Sequence, residues 1–391
     1  MSGTSIGRRL GIKTWVAMTA ILLLAAVQLA SAQPARAGEG DSEGFIKTNL
    51  VSNLTPIQSG ALHQDVHLKN PWGIVHSPTS PWWVSDNNGN VSTLYDGNGN
   101  PFPLAGPLVV GIPAPDGSLT GAPTGVVFNG MPNDFKVTDG TKAPGSSLFI
   151  FATEDGTIAG WSPAVSFARA FIAVDNSQIP PGVDNGAVYK GLAIAMTDEG
   201  QRLYASNFRA GTVDVFDANF KPVHVKDAFK DSKIPAGYAP FGIQAIGDRI
   251  YVTYALQNDM RHDDLKGPHR GFVDVFSDEG KLVKRLIRRG ALNSPWGLTL
   301  APEGFGDFGG DLLVGNFGDG TINAYDIHSG ELEGTLRDTH GAPISIDGLW
   351  GIGFGNGNRA GPTGTLFFAA GINDEADGLF GTIVPAPESD D

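Results

Sequence analysis

Residues 293–336, NSPWGLTLAPEGFGDFGGDLLVGNFGDGTINAYDIHSGELEGTL, read as four short strands joined by tight turns. A turn at Pro295, Trp296 and Gly297 leads into an apolar run, Leu298 to Ala301. A Gly-rich turn follows, then the run Leu312 to Val314, ending at Gly315, Asn316 and Phe317. Asp319 and Gly320 open a third strand, Thr321 to Tyr325, and Asp326 to Gly330 turn the chain into a fourth, Glu331 to Leu336. Four strands in roughly 45 residues is the size of one propeller blade.

Two marks in this unit recur along the chain. The opening mark, a residue followed by Gly and a mainly apolar strand, stands at Trp72-Gly73, Thr124-Gly125, Lys190-Gly191, Phe241-Gly242, Trp296-Gly297 and Trp350-Gly351. The second, Gly followed one residue later by Val or Ile, stands at Gly89, Gly156, Gly211, Gly271, Gly320 and Gly381. The marks alternate, one pair per unit, and the opening glycines lie 52, 66, 51, 55 and 54 residues apart. This spacing predicts an all-β, six-bladed β-propeller of four-stranded blades, one domain over 45–384, with loop insertions. The blades fall at about 70–110, 122–175, 188–229, 239–288, 293–336 and 348–384. The last of them lacks a fourth strand. The alternating segment 45–53 is expected to fill that place, so that the two chain ends close the ring and remove its open edges.

Composition fits such a fold. Gly is 54 of 391 residues, about twice the average share, which suits a chain made of tight turns. There is no cysteine, so disulfides, thiol chemistry and Cys-ligated metal are excluded. Arg8, Arg9 and Lys13, the apolar run Val16 to Leu29 and the small residues Ala30-Ser31-Ala32 read as a signal peptide over 1–32. By composition, residues 33–44 read as a disordered lead and 385–391 as an acidic tail. Loss of the leader's three positive charges takes the net charge from −14 to −17. Such a field disfavours nucleic acid and anionic lipid as partners. The expectation is an exported monomer, periplasmic or extracellular, without a stable membrane anchor after cleavage.

In a radial four-stranded meander, the start of the first strand and the turn between the second and third strands emerge on one face. Insertions at 255–270 and 371–380 join that face, whereas the insertion 129–147 of the second blade leaves from the other. Loops on a rigid scaffold are where binding usually resides. The ligand-binding candidates are therefore Trp72, Phe241, Trp296 and Trp350, together with His262 and His269 of the insertion ALQNDMRHDDLKGPHR. The aromatic residues either offer faces to a sugar or other apolar ligand or pack between blades, and their exposure decides. His262 and His269 match no zinc spacing, which leaves a solvated polar loop or a general base. Glu154, Asn207, Asn316 and Asp86 are candidate oxygen ligands for Ca²⁺, although the last three also suit turn capping. NDEADG at 373–378 is not an EF-hand, because its twelfth position is Val384. GIGFGNGNRAG at 351–361 has no helix to aim at a phosphate.

The runs NPWGIVHSPTSPWWVSDNNG, PTGVVFN, FATEDGTIAGW, AVYKGLA, SPWGLTLAPEGFG, LLVGNFGDGTINAYD and GLWGIGFGNG resemble a family of bacterial exported propellers, some carrying a PEP-CTERM sorting tag. The match covers about residues 45–384. More distantly, the chain is similar to NHL repeats and to lactonase-like and lyase propellers, and the lactonase-like resemblance implies a Ca²⁺ site. The main resemblance implies fold and export, and brings no established activity with it. Unlike tagged members the chain ends in VPAPESDD, which implies a free soluble product. The functional reading is a non-catalytic scaffold that binds a small molecule, glycan or protein at this rim. The alternative is a Ca-dependent hydrolase or lyase of the lactonase-like kind.

Overall fold

A computed structural model of the protein describes residues 44–178 and 186–387. The expected leader, nearly all of the lead and the last four residues of the tail lie outside the described residues. The chain forms the six sheets of a six-bladed propeller; five are antiparallel meanders in sequence order, and the sixth is completed from the N-terminal end of the domain. The repeat unit proves to be Pro295–Leu300, Leu312–Asn316, Ile322–Tyr325 and Leu332–Thr335, paired in that order.

Strand alternation explains why these strands read as nearly continuous apolar runs. Each inner strand is covered on both faces, because every blade is sandwiched between two others. Trp82 packs with Phe367 and Phe380 of the sixth blade, while its neighbour Trp83 packs with Phe149 and Trp161 of the second. Leu312 and Val314 face the fourth blade, and Leu313 between them faces the sixth. Every one of the six blade interfaces has a hydrophobic cluster of this kind.

The opening glycines have a steric reason. A Cβ on Gly242 would stand 2.0 Å from the Trp296 carbonyl oxygen, one on Gly297 2.6 Å from that of Trp350, and one on Gly351 2.5 Å from that of Trp72. The series continues from Gly73 to Thr124, from Gly125 to Leu192 and from Gly191 to Phe241. Five of the innermost strands thus approach the backbone of the next blade too closely for a side chain, the contact from Gly191 to Phe241 at 3.0 Å is nearly as tight, and the six contacts return to the start.

Closure follows the expected route. Phe45–Ser52 pairs antiparallel with Leu379–Pro385, from Phe45 opposite Pro385 to Ser52 opposite Leu379, with an irregularity between Asn49 and Val51. A short parallel strand, His63–Gln64, adds to the outer edge of that sheet. The third blade carries three full strands, and its fourth place holds a bridge from Phe216 to Pro222, with bonds from Asp217 N to Lys221 O and from Val223 N to Val215 O, both at 2.8 Å. Pro222 has no N–H to extend that ladder.

Candidate functional site

The axis beneath the rim is filled by side chains. Trp72, Phe208, Phe241, Trp296, Phe317 and Trp350 form one buried cluster contributed by five blades. Trp350 stacks on Trp72 and on Phe317, and Trp296 meets both tryptophans edge-on. Exposure decides between the two readings of these residues: Phe241 is 0% exposed, Trp350 1%, Trp72 2% and Trp296 9%. The aromatic candidates are therefore a plug and offer no open face to a ligand. The indole N–H of Trp296 donates to the Lys190 carbonyl oxygen at 2.9 Å and that of Trp350 to Asn70 Oδ1 at 3.1 Å, so the plug is tied to the loops above it.

A charged cluster lies on top of the plug. Lys190, where other blades carry Trp, Phe or Thr before the opening glycine, sits with its ammonium 5.1 Å from the Trp72 ring centre and 5.9 Å from that of Phe208. It donates to Glu154 Oε1 and lies 3.5 Å from Asp263 Oδ1. Burial works against this charge, but the carboxylates around it, Glu154 first, more than offset that and hold its pKa above the ordinary lysine value. Glu154 Oε2 accepts from Asn87 Nδ2 at 2.9 Å, and Asn70 Nδ2 donates to Glu375 at 2.8 Å. Lys266 lies 4.0 Å over Phe317. Loops of all six blades thus meet at one mouth, as the meander geometry requires.

Burial raises the pKa of Glu375, Asp264 and Asp155 from their ordinary values. Asp263 moves the opposite way, to about 2, chiefly through its hydrogen bond with His262 and despite partial burial. That bond joins His262 Nδ1 and Asp263 Oδ1 at 2.8 Å.

Three of the four candidate Ca²⁺ ligands already engage other groups through their side-chain oxygens. Asn207 Oδ1 accepts from the Val188 and Ala210 amides, and Asn316 Oδ1 from the Asn293 amide, so both brace turns. Asp86 is fully buried, accepts from Thr93 Oγ1 at 2.7 Å, and is pushed toward its neutral form by burial. Glu154 stands in the mouth, between Asn87 and Lys190. Among the described residues it forms one possible metal-binding group with His262 and Asp263, with one ligand atom from each lying within 4.8 Å of the others. His269 is not part of it, since its Nδ1 bonds to the Gly290 carbonyl oxygen at 2.6 Å.

No family model matches the chain. Two uncharacterized proteins of Acanthamoeba polyphaga mimivirus are 34% and 33% identical to it over 340 residues, covering 85% and 86% of this chain and 78% and 84% of their own lengths. The chain belongs to their family. These relatives are viral, so the bacterial and sorting-tag parts of the resemblance find no support in them. Among solved structures, virginiamycin B lyase from Staphylococcus aureus is similar at TM-score 0.48 and 14% identity, over 88% of this chain and 99% of its own. A glucose dehydrogenase is similar at TM-score 0.49 and 13% identity, over 88% and 100%.

Sequence reasoning missed Lys190 and Glu375 as site residues. Lys190 carried a signal, being the one charged residue at the opening mark. Glu375 was masked by the failed calcium-loop pattern around it, which tests spacing within a loop and not convergence between blades.

Proposed function

We propose that this member of the family is a non-catalytic binding propeller whose axial mouth takes a small cationic ligand. The observation that carries this reading is the carboxylate cluster there: Glu154, Asp155, Asp263, Asp264 and Glu375 gather around the ammonium groups of Lys190 and Lys266. A focused negative field of this kind attracts cations. Lys190 is held as an ammonium by its ion pair with Glu154, which suits a charged anchor and not a base or nucleophile.

Calorimetric titration with spermidine tests the proposal. Saturable binding that weakens with salt, and falls about tenfold or more in Glu375→Gln and Asp264→Asn, supports it. Absence of binding, or equal binding by the variants, overturns it.

The second reading, a Ca-dependent hydrolase or lyase, rests on the group formed by Glu154, His262 and Asp263. The Lys190 ammonium already lies against two of these residues, so a divalent ion would have to displace it. Tight Ca²⁺ binding lost in both Glu154→Ala and His262→Ala, together with Ca-dependent turnover of a lactone, would favour this reading over the first.

Export as a soluble monomer is proposed alongside, on the basic start, apolar run and small-residue site of the first 32 residues. Mass spectrometry of the mature chain and light scattering check it, and an intact Met1 terminus on the secreted fraction contradicts it.

A further inference from the structure

The loops on the face opposite the mouth enclose a second cleft, of about 590 Å³, where the first and sixth blades meet. One wall is the turn after the first blade's third strand, Val91–Tyr95, and carries Asp96, Asn98 and Phe102. The other is the turn after the sixth blade's first strand, Leu349–Phe354, and carries Asn358, Arg359 and Pro362. The volume lies within the roughly 300–1,000 Å³ usual for small-molecule sites.

The cleft is preformed. Gly97 and Gly361 bring the two loops into backbone contact, since a Cβ on Gly97 would stand 2.4 Å from Gly361 Cα. Gly97 N donates to the Arg359 carbonyl oxygen at 2.8 Å. The sixth-blade loop is tied from below by Trp82 Nε1 to Ala360 O at 2.8 Å, and by Asn356 Nδ2 to the Ser77 and Ser80 carbonyl oxygens, each at 2.9 Å. Phe102 N donates to Leu94 O at 2.9 Å, which fixes the opposite wall.

Arg359 is the informative residue. Its guanidinium lies 5.4 Å from the centre of the Phe102 ring, and among the described residues no carboxylate pairs with it. This holds in a chain with 41 acidic and 27 basic residues, and with Asp96 in the same cleft. Asp96 is spent on its own turn: Oδ1 accepts from the Asn98 and Asn100 amides, both at 2.9 Å, and Oδ2 from Asn100 Nδ2 at 3.0 Å. A guanidinium held beside an aromatic ring, with no carboxylate of its own, has N–H donors available for bidentate capture of a carboxylate. Asn98 and Asn358 line the same space with side-chain amides that both donate and accept, the pattern hydroxyl groups need.

We propose that this cleft is a second ligand site, for a carboxylated sugar of the uronic acid class, with Arg359 on the carboxylate and Asn98 and Asn358 on the hydroxyls. It is independent of the mouth, which lies on the other face.

Calorimetric titration of the mature chain with cellobiouronic acid, and with cellobiose as the neutral match, tests it. The expected result is saturable binding of the acid, with cellobiose and Arg359→Ala each weaker by about tenfold or more, Arg359→Lys intermediate, and no change on saturation with spermidine. Arg359 is exposed, so circular dichroism of Arg359→Ala is expected to match the parent. Equal affinity for the neutral sugar, undiminished binding by Arg359→Ala, competition by spermidine, or no binding up to about 10 mM acid overturns the assignment.

Discussion

Trp350 of the last blade lies flat on Trp72 of the first, with ring centres 3.5 Å apart and planes 17° from parallel. The two residues are 278 positions apart in sequence, and their contact closes the aromatic plug at the seam where the ring itself closes. Trp350→Ala removes a fully buried ring that also touches Trp296, Phe241 and Phe317. The expected cost is about 3–5 kcal/mol, read from urea unfolding midpoints. A loss below about 1 kcal/mol would mean the plug is not part of the stabilising core.

Gly242 stands where an added methyl group would meet the Trp296 carbonyl oxygen at 2.0 Å. Neither partner is the far end of a flexible side chain, so the strands must separate. Gly242→Ala is expected to destabilise by about 1–3 kcal/mol or more, while the same change at Gly304, which has open space around it, stays within about 0.5 kcal/mol. Thermal unfolding of the two variants side by side checks the contrast.

The pair formed by Lys190 and Glu154 is 2% and 15% exposed. Removing one partner strands a buried charge, which costs about 3–5 kcal/mol, whereas removing both leaves no unpaired ion. Lys190→Met and Glu154→Gln should each destabilise strongly and the double variant much less than their sum. Additive losses in a double-mutant cycle would show that the two groups do not act as a pair.

Asp274 is buried in the fourth blade beside Tyr254, Asp231 and Arg285, and burial first, then the Asp231 charge, push its pKa up to about 7 despite the opposing pull of Arg285. An unfolded aspartate titrates near about 3.9, so between roughly pH 4 and 7 the folded chain holds a proton that the unfolded chain has lost. This contribution to stability is present in full below the lower value and declines as pH rises through about 7. Asp274→Asn should flatten that decline, measured as unfolding midpoints at about pH 5 and about pH 7.5. An unchanged slope would place the titration elsewhere.

The repeat was legible because two physical demands recur once per blade. The innermost strand must carry glycine against the next backbone, and the strands must be apolar on both faces. Closure was legible from the missing outer strand, since Phe45–Ser52 had no other sheet to join. The individual site residues were harder to read. Asn207 and Asn316 carry side chains that serve a turn and a ligand equally well in sequence, and only their bonds to Val188, Ala210 and Asn293 distinguish the two. The tryptophans face the axis as their repetition suggests, but whether an axial ring is open or filled depends on how far four indole and phenyl groups from separate blades reach. Asn70, Glu154, Lys190 and Glu375 lie far apart in the chain, and no local pattern encodes their meeting.

Hydrogen–deuterium exchange of the mature chain with and without spermidine tests the axial mouth most directly. The account predicts simultaneous protection of the loops around residues 86–90, 154–156, 258–267 and 371–378, which are distant in sequence and meet at Glu154, Lys190 and Glu375. Protection confined to one of these loops, or appearing instead at residues 355–362 on the other face, would contradict it.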